Sequence, residues 1–428
     1  MKMNFKHVML ACALVAGFAS CSKEDNYLPK EGQATTMKLN IQFPKPGTKT
    51  AGDQNATELE SKMNTVDVFI FNTATGAVTH KAHLTSGQFS YSGGTGDDVY
   101  TGSAKVATTT GAKKIAVGLN LPSTFDVAAV STMNDLQKQW ETSYTNLATG
   151  TGIAMFSKDF VSADLVSVDD NSYDTQNKID VTVERMVAKI SVQKSQNLTL
   201  TSVAGILSDI KYSVRQVNKL TFPMQVKDAN VVKDPNWATG TYNANDLEAD
   251  ANYVAVNAHD AAVLDWKVKY ATENTNEKPF EKLNTYVSVQ AVFTPAVICD
   301  ANGDKDDTKT GTFSTGDDFY TVKLNGDVYY FDDQADAEAF NTSVASGSAA
   351  VVKYTNGVCY FYSFINEADD FDVLRNKFYN LTVKQIVPPG NNTPEVKNPD
   401  DPISTKTDIT LDITIEDWDY SNEEIILS

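Results

Sequence analysis

Three groups of residues in this 428-residue chain could bind or react, and the spacing of each limits its chemistry. Asp300, Asn302, Asp304 and Asp306 place oxygens at alternate positions, as part of a calcium loop does. Gly303 stands fourth, however, and Lys305 sixth, where such a loop requires its glycine, so the segment is a weak calcium candidate against a solvated turn. His80 and His83 are three apart in the strand-like AVTHKAHLT, where residues at that interval face opposite sides, which reads as surface histidines rather than a metal pair. Cys299 and Cys359 sit in apolar runs, PAVIC and GVCYFYSF, that suit a disulfide in an exported chain or two buried thiols equally well.

Nothing else carries a reaction. G-x-S-x-G, G-x-x-x-x-G-K-[ST], H-E-x-x-H and C-x-x-C are all missing, which removes the usual hydrolase, nucleotide and zinc signatures. The glycines of SGGTGDDVYTG lack the strand-then-helix setting of a phosphate cradle, and their two aspartates would repel phosphate. Among 55 acidic residues no pair stands out for glycoside hydrolysis. The reading is a protein that is not an enzyme, with no catalytic residue and no cofactor.

Charge narrows the partners. Lys and Arg total 36, giving a net charge of −19, and only Arg185, Arg215 and Arg375 are arginine. Such a surface opposes nucleic acid, whose binding rests on cationic neutralisation of phosphate, and opposes docking on an anionic membrane. With 41% apolar residues the chain is long enough to fold around more than one core.

The elements that must position any function begin with an export signal over residues 1–20. Lys2 and Lys6 precede the apolar run VMLACALVAGF, which is too short to span a membrane. Phe18-Ala19-Ser20-Cys21 resembles a bacterial lipobox with Phe in place of the usual Leu, so Cys21 would carry the lipid; an ordinary signal peptide ending near a cysteine is the alternative. The following Ser22-Lys23-Glu24-Asp25-Asn26 resembles the surface-export tag of Bacteroidetes lipoproteins.

Beyond the signal, period-2 alternation dominates. Met37-Leu39-Ile41-Phe43, Val66-Val68-Ile70, Ile179-Val181-Val183 and Ile409-Leu411-Ile413-Ile415 read as strands with one wet face. Recurrent turn pairs such as Asn325-Gly326 and Asn356-Gly357 favour antiparallel hairpins in sandwiches. Helices are expected only at Thr132–Tyr144 and Asp333–Phe340, as connectors. A domain boundary is expected near residue 200. Five of the 13 prolines lie between Val387 and Ser404, an extended arm leading to one last strand, TDITLDITIEDW, which must pair with some sheet to satisfy its backbone.

Several segments in their order resemble the fimbrillins, the major and accessory subunits of Bacteroidetes type V pili. These are Glu60-Ser61-Lys62-Met63 before VDVFIFN and Gly76, IAVGLNLP at 115–122, VERMVAKI at 183–190, LRNKFYNLTV at 374–383, and the proline arm running into an alternating strand and Trp418. The resemblance implies an all-β chain of two transthyretin-like antiparallel β-sandwich domains, with few short helices and a C-terminal donor strand. It divides the chain into a lipoprotein signal peptide (1–20), a propeptide with a removable strand (21–49), an N-terminal sandwich (50–200), a C-terminal sandwich (201–386), and the arm with its strand (387–428).

It also implies assembly by strand exchange after a trypsin-like protease removes the N-terminal segment. The exposed stretch Pro44 to Gly52 places Lys49 and Thr50 at the processing position, and with no arginine before Arg185 a lysine-accepting protease is implied. The donor face is Ile409, Leu411, Ile413 and Ile415. The expected partners are other copies of the chain or related fimbrial subunits, the processing protease, and a host or bacterial surface receptor. The membrane is met only through the lipid of an outer-membrane-anchored precursor that later joins a cell-surface fimbrium. The alternatives are a pilus-tip adhesin or a non-polymerising surface lipoprotein that holds glycan or protein through aromatic loops such as Tyr329-Tyr330-Phe331. An ordinary intramolecular edge strand is the alternative for residues 405–418.

Overall fold

The computed structural model describes residues 32–42, 57, 59–92, 101–169, 172–239, 246–259, 261, 265–277, 280–396, 401–403 and 409–417. Cys21, expected to carry a lipid, and Lys49 and Thr50, expected at the processing position, lie outside them.

Strands make up most of the regular structure. The first nine that matter here are β1 (Ala34–Gln42), β2 (Thr65–Asn72), β3 (Val78–Thr85), β4 (Ser90–Ser92), β5 (Thr101–Thr109), β6 (Gly111–Leu119), β7 (Met155–Ser157), β8 (Val161–Leu165) and β9 (Lys178–Arg185). They form one sheet in the order β3-β2-β6-β7-β9-β1-β5-β4, with β8 also on β6. Alternation decides which way each strand faces. Met37, Leu39 and Ile41 of β1 share a core with Val66, Val68 and Ile70 of β2 and with Ile179, Val181 and Val183 of β9, so the sheet closes into two layers.

The second half uses β10 (Ala188–Lys194), β11 (Gly205–Arg215), β12 (Val268–Ala271), β13 (Tyr286–Pro295), β14 (Phe319–Leu324), β15 (Asp327–Phe331), β16 (Val351–Tyr354), β17 (Val358–Phe364), β18 (Lys377–Ile386) and β19 (Ile409–Asp417). The sheet β12-β10-β18-β19 packs on a sheet built around β11-β13-β17. Val192, Tyr212, Val289, Phe361 and Leu381 lie between the two layers. A small unit is inserted between the paired strands β13 and β17. It has the sheet β15-β14-β16, the helices α1 (Asp307–Thr312) and α2 (Gln334–Ser343), and its own core of Val322, Phe331, Ala337 and Phe340.

Local chemistry explains the connections. Asn325 and Gly326 take φ of 53° and 96°, the left-handed pair that a two-residue hairpin needs between β14 and β15. Asp333 caps α2 by accepting from the Asp336 amide, where a helix was expected. Over Thr132–Tyr144, by contrast, the helix is only a 3-10 turn at Met133–Gln137, because Trp140 and Glu141 pair as a short strand with Thr221 and Leu220. The pairing is mainly antiparallel, as expected. The exceptions are β1 on β9 and β10 on β18, which run parallel.

Two sequence expectations change. The VDVFIFN strand, expected to have one wet face, is buried on both: Val66, Val68 and Ile70 enter the sandwich core, while Phe69 and Phe71 lie under Phe125, Phe156 and Phe160. The segment VERMVAKI, expected as one strand closing the first domain, passes at Met186-Val187 from β9 in the first sheet to β10 in the second, ahead of residue 200. Among the described residues no helix is long and apolar enough to cross a membrane.

Candidate strand-exchange site

β1 is held on both edges. It runs parallel to β9, with Leu39 opposite Ile179, and antiparallel to β5, with Leu39 opposite Ala104. Met37, Leu39 and Ile41 are wholly buried. Polar ties fix the register: the Lys38 amide donates to the Asn177 carbonyl (2.9 Å) and Asn40 Nδ2 donates to Asp180 Oδ1 (2.6 Å). Asn177 Nδ2 in turn donates to the Thr36 carbonyl at 2.9 Å. Removing such a strand would open an apolar trough with two unpaired sheet edges.

β19 is placed differently. It pairs antiparallel with β18 at the sheet edge, with Ile409 opposite Ile386, Leu411 opposite Val383, Ile413 opposite Leu381 and Ile415 opposite Tyr379. Ile409 is buried, but Leu411 and Ile413 are only half-buried. The strand therefore satisfies one row of backbone groups and leaves part of its apolar face uncovered.

The motifs from which the family resemblance was drawn supply buried polar ties, of which Glu60 to Lys189 on β10 joins the first half to the second. Asn120, at φ 51°, accepts from the Asn64 amide at 2.8 Å and donates from Nδ2 to the Lys62 carbonyl at 2.7 Å. Arg185 Nε donates to the Glu60 carbonyl at 2.9 Å, and Lys189 Nζ lies 2.9 Å from Glu60 Oε1 with both side chains almost entirely out of water. Burial lowers the Lys189 pKa and the Glu60 carboxylate opposes that shift. Arg375 Nε stands 2.7 Å from Glu273 Oε2, and its terminal nitrogens donate to the Pro223 and Phe222 carbonyls. Burial raises the pKa of Glu184, partly offset by Arg375 and reinforced by Glu273. Sequence reading quoted Arg185, Lys189 and Arg375 but could not find Glu60 or Glu273 as their partners, since the pairs are far apart in the chain.

The remaining candidates are dispersed. Asp300 Oδ1 accepts from the amides of Asn302 (2.9 Å) and Asp304 (3.1 Å), an Asx turn, while Asp306 caps α1 by accepting from the Thr308 and Lys309 amides. The loop thus turns its carboxylates on its own backbone. Among the described residues the acidic group close enough for one ion is Asp332, Asp333 and Asp336, and Lys309 Nζ already bonds all three at 2.7–2.9 Å. Cys299 and Cys359 are free thiols, not a disulfide: Cys299 belongs to the core of the inserted unit, Cys359 to that of the large sandwich. His80 and His83 do face opposite sides; His83 Nδ1 meets Asp67 Oδ1 at 2.8 Å on the exposed side. Tyr329, Tyr330 and Phe331 are packing residues of β15, with Phe331 wholly buried and Tyr329 against Phe340 at 4.5 Å between ring centres, so they form no aromatic binding loop.

Residues 352–424, which include β17, β18 and β19, match the family described as major fimbrial subunit protein type IV, fimbrillin, C-terminal. Two minor fimbrium subunits Mfa1 of Porphyromonas gingivalis are each 24% identical to the chain over 90% of its length and 86% of theirs. The chain is thus similar to the fimbrillins over its C-terminal part and to minor fimbrium subunits over most of its length. Solved structures similar to this chain include a candidate cell adhesion protein of Bacteroides eggerthii, with 16% identity over 92% of this chain and 98% of that one at a TM-score of 0.48. The tip fimbrial protein Mfa3 of P. gingivalis, with a C-terminal truncation, is 13% identical over 90% of this chain and 100% of that one at a TM-score of 0.42.

Proposed function

We propose that this protein is a fimbrillin, a non-enzymatic structural subunit of a cell-surface fimbria that supports adhesion and polymerises by donor-strand exchange. The observation that carries the exchange step is the contrast between the wholly buried Met37, Leu39 and Ile41 of β1 and the half-buried Leu411 and Ile413 of β19, on strands of the same alternation. The chain is exported as a lipoprotein on Cys21, cut between Lys49 and Thr50, and released from β1. The trough between β9 and β5 then receives β19 of another copy or of a related fimbrial subunit. The two sandwich units divide at Met186-Val187, where the chain changes sheet, rather than at residue 200, and residues 387–428 act as the arm that reaches the neighbour.

Cleavage is what makes exchange feasible. A tethered resident strand competes at an effective concentration on the order of millimolar, so an incoming strand of similar pattern seldom displaces it. Once β1 is released, each aliphatic side chain that enters the trough contributes roughly 1.5–3 kcal/mol. A second reading, a pilus-tip adhesin or a non-polymerising surface lipoprotein, draws support from the pairing of β19 along β18 of its own chain. Deleting residues 405–428 separates the two. The proposal expects a folded protein that no longer polymerises, and a deletion variant that still forms fibres overturns it.

A further inference from the structure

Three lysines stand side by side across the first sheet. Lys38 of β1 is opposite Lys178 of the parallel β9 and opposite Lys105 of the antiparallel β5. Residues directly opposite one another share a face with Cβ atoms about 4.5–5.5 Å apart, and like charges placed so are destabilising. β1 itself, ATTMKLNIQ, has no acidic residue to relieve the row. Lys178 Nζ instead lies 3.6 Å from Asp180 Oδ2 on its own strand, and Lys105 Nζ is 5.1 Å from the centre of the Tyr173 ring. The next row along makes the opposite demand. Asn40 stands between Asp180 and Ser103, and its Nδ2 donates to Asp180 Oδ1 at 2.6 Å.

β19 carries the complementary pattern on its polar face, where Thr410, Asp412 and Thr414 are all exposed. At home Asp412 is opposite Thr382, and its Oδ2 lies 2.6 Å from Lys384 Nζ in an exposed pair of the kind that contributes little. Alternation lets the strand slide in the β1 trough only in steps of two residues. Suppose it runs in the direction of β1. With Ile409 in the place of Met37, Asp412 falls in the place of Asn40, against Asp180. With Ile413 there, Glu416 meets Asp180 and Asp417 turns into the core. With Leu411 there, Ile413 takes the place of Leu39, Asp412 comes between Lys105 and Lys178, and Thr414 offers its hydroxyl to Asp180.

We propose that β19 of a second copy of this chain enters the trough in this third register, with Asp412 held between Lys105 and Lys178 of the acceptor. The inference rests on the strand-exchange reading and adds to it the partner, the register and a reason for the incoming strand to hold better than the resident one. Met37, Leu39 and Ile41 are replaced by aliphatic side chains of similar size, so apolar burial changes little. The charged row changes most, from three cations to an anion between two cations. It also acts as a selector, because a strand with lysine or a neutral residue at this place binds less well than one with an acid.

The test uses the chain from residue 22, cut with trypsin and followed by light scattering and negative-stain microscopy. Asp412→Asn should slow filament growth about fivefold, and added NaCl should narrow its gap from the parent. Glu416→Gln, which removes the same charge two places on, should grow as the parent does. Lys38→Glu relieves the resident row, so it should raise the Tm of the uncut chain by about 1 °C or more and slow growth after cutting. Paired with Ser103→Cys, Thr414→Cys should give disulfide-linked ladders in oxidised filaments and Asp412→Cys should not. Equal growth of Asp412→Asn and the parent, or a ladder from Asp412→Cys in place of Thr414→Cys, overturns the register and leaves strand exchange standing. An unchanged or lower Tm in Lys38→Glu overturns the like-charged row. A parent that is cut and never assembles overturns strand exchange and this proposal with it.

Discussion

Leu39 and Leu411 hold equivalent central places in two alternating strands, yet Leu39 is wholly buried between two neighbours while Leu411, opposite Val383 at a sheet edge, is only half-buried. The asymmetry means that β19 can gain buried area elsewhere and β1 cannot. Burial is worth about 25 cal/mol per Å² of apolar surface, so the strand with more left to cover has the greater drive to move.

Leu411→Glu combined with Ile413→Glu should therefore abolish filament growth while leaving the monomer folded. Both positions tolerate partial exposure at home, so the unfolding midpoint should fall only modestly. Negative-stain microscopy and urea unfolding of the protease-treated variant check this, and filaments of parental length contradict it.

Arg375→Met should cost about 3–5 kcal/mol, because it strands Glu273 as an unpaired buried carboxylate. Adding Glu273→Gln should recover part of that loss. Recovery stays incomplete, since the Pro223 and Phe222 carbonyls still lack their donors. Urea unfolding of the parent, both single variants and the double variant measures each term, and equal stability of the two single variants and the parent would contradict the buried pair.

Glu184 should make stability fall as pH rises. Burial raises its folded-state pKa above the ordinary 4.5, so the folded protein holds this proton where the unfolded chain has released it. The penalty is absent below pH 4.5 and grows until the raised folded value is passed. Glu184→Gln should match the parent in acid and exceed it in stability at pH 8. The check is urea unfolding at both pH values; a variant less stable than the parent at pH 8 would be the contrary result.

Cys299 and Cys359 should be silent toward iodoacetamide in the native protein and both react in denaturant. Cys359 is wholly buried, burial raises its pKa, and its Sγ lies 3.4 Å from the Ala291 carbonyl. A linked Cys299–Cys359 peptide in a non-reducing digest contradicts this.

Strand content was legible because alternation is local. β1, β9 and the Asn325-Gly326 hairpin stand where the pattern puts them. The two-sided burial of β2 was not, since the rings that cover Phe69 and Phe71 come from Phe125, Phe156 and Phe160, far along the chain. Nor does alternation reveal a change of sheet, so the passage at Met186-Val187 read as one strand. The strand proposed as donor was visible as an amphipathic segment with no partner nearby in sequence. Its half-buried place on β18 depends on a long-range pairing that no spacing rule encodes.

Limited trypsin digestion of the chain from residue 22, with the new N-terminus mapped by mass and the same sample viewed by negative-stain microscopy, tests strand exchange most directly. Cleavage after Lys49 accompanied by long filaments is the expected result. A chain that is cut at Lys49 and remains monomeric contradicts it.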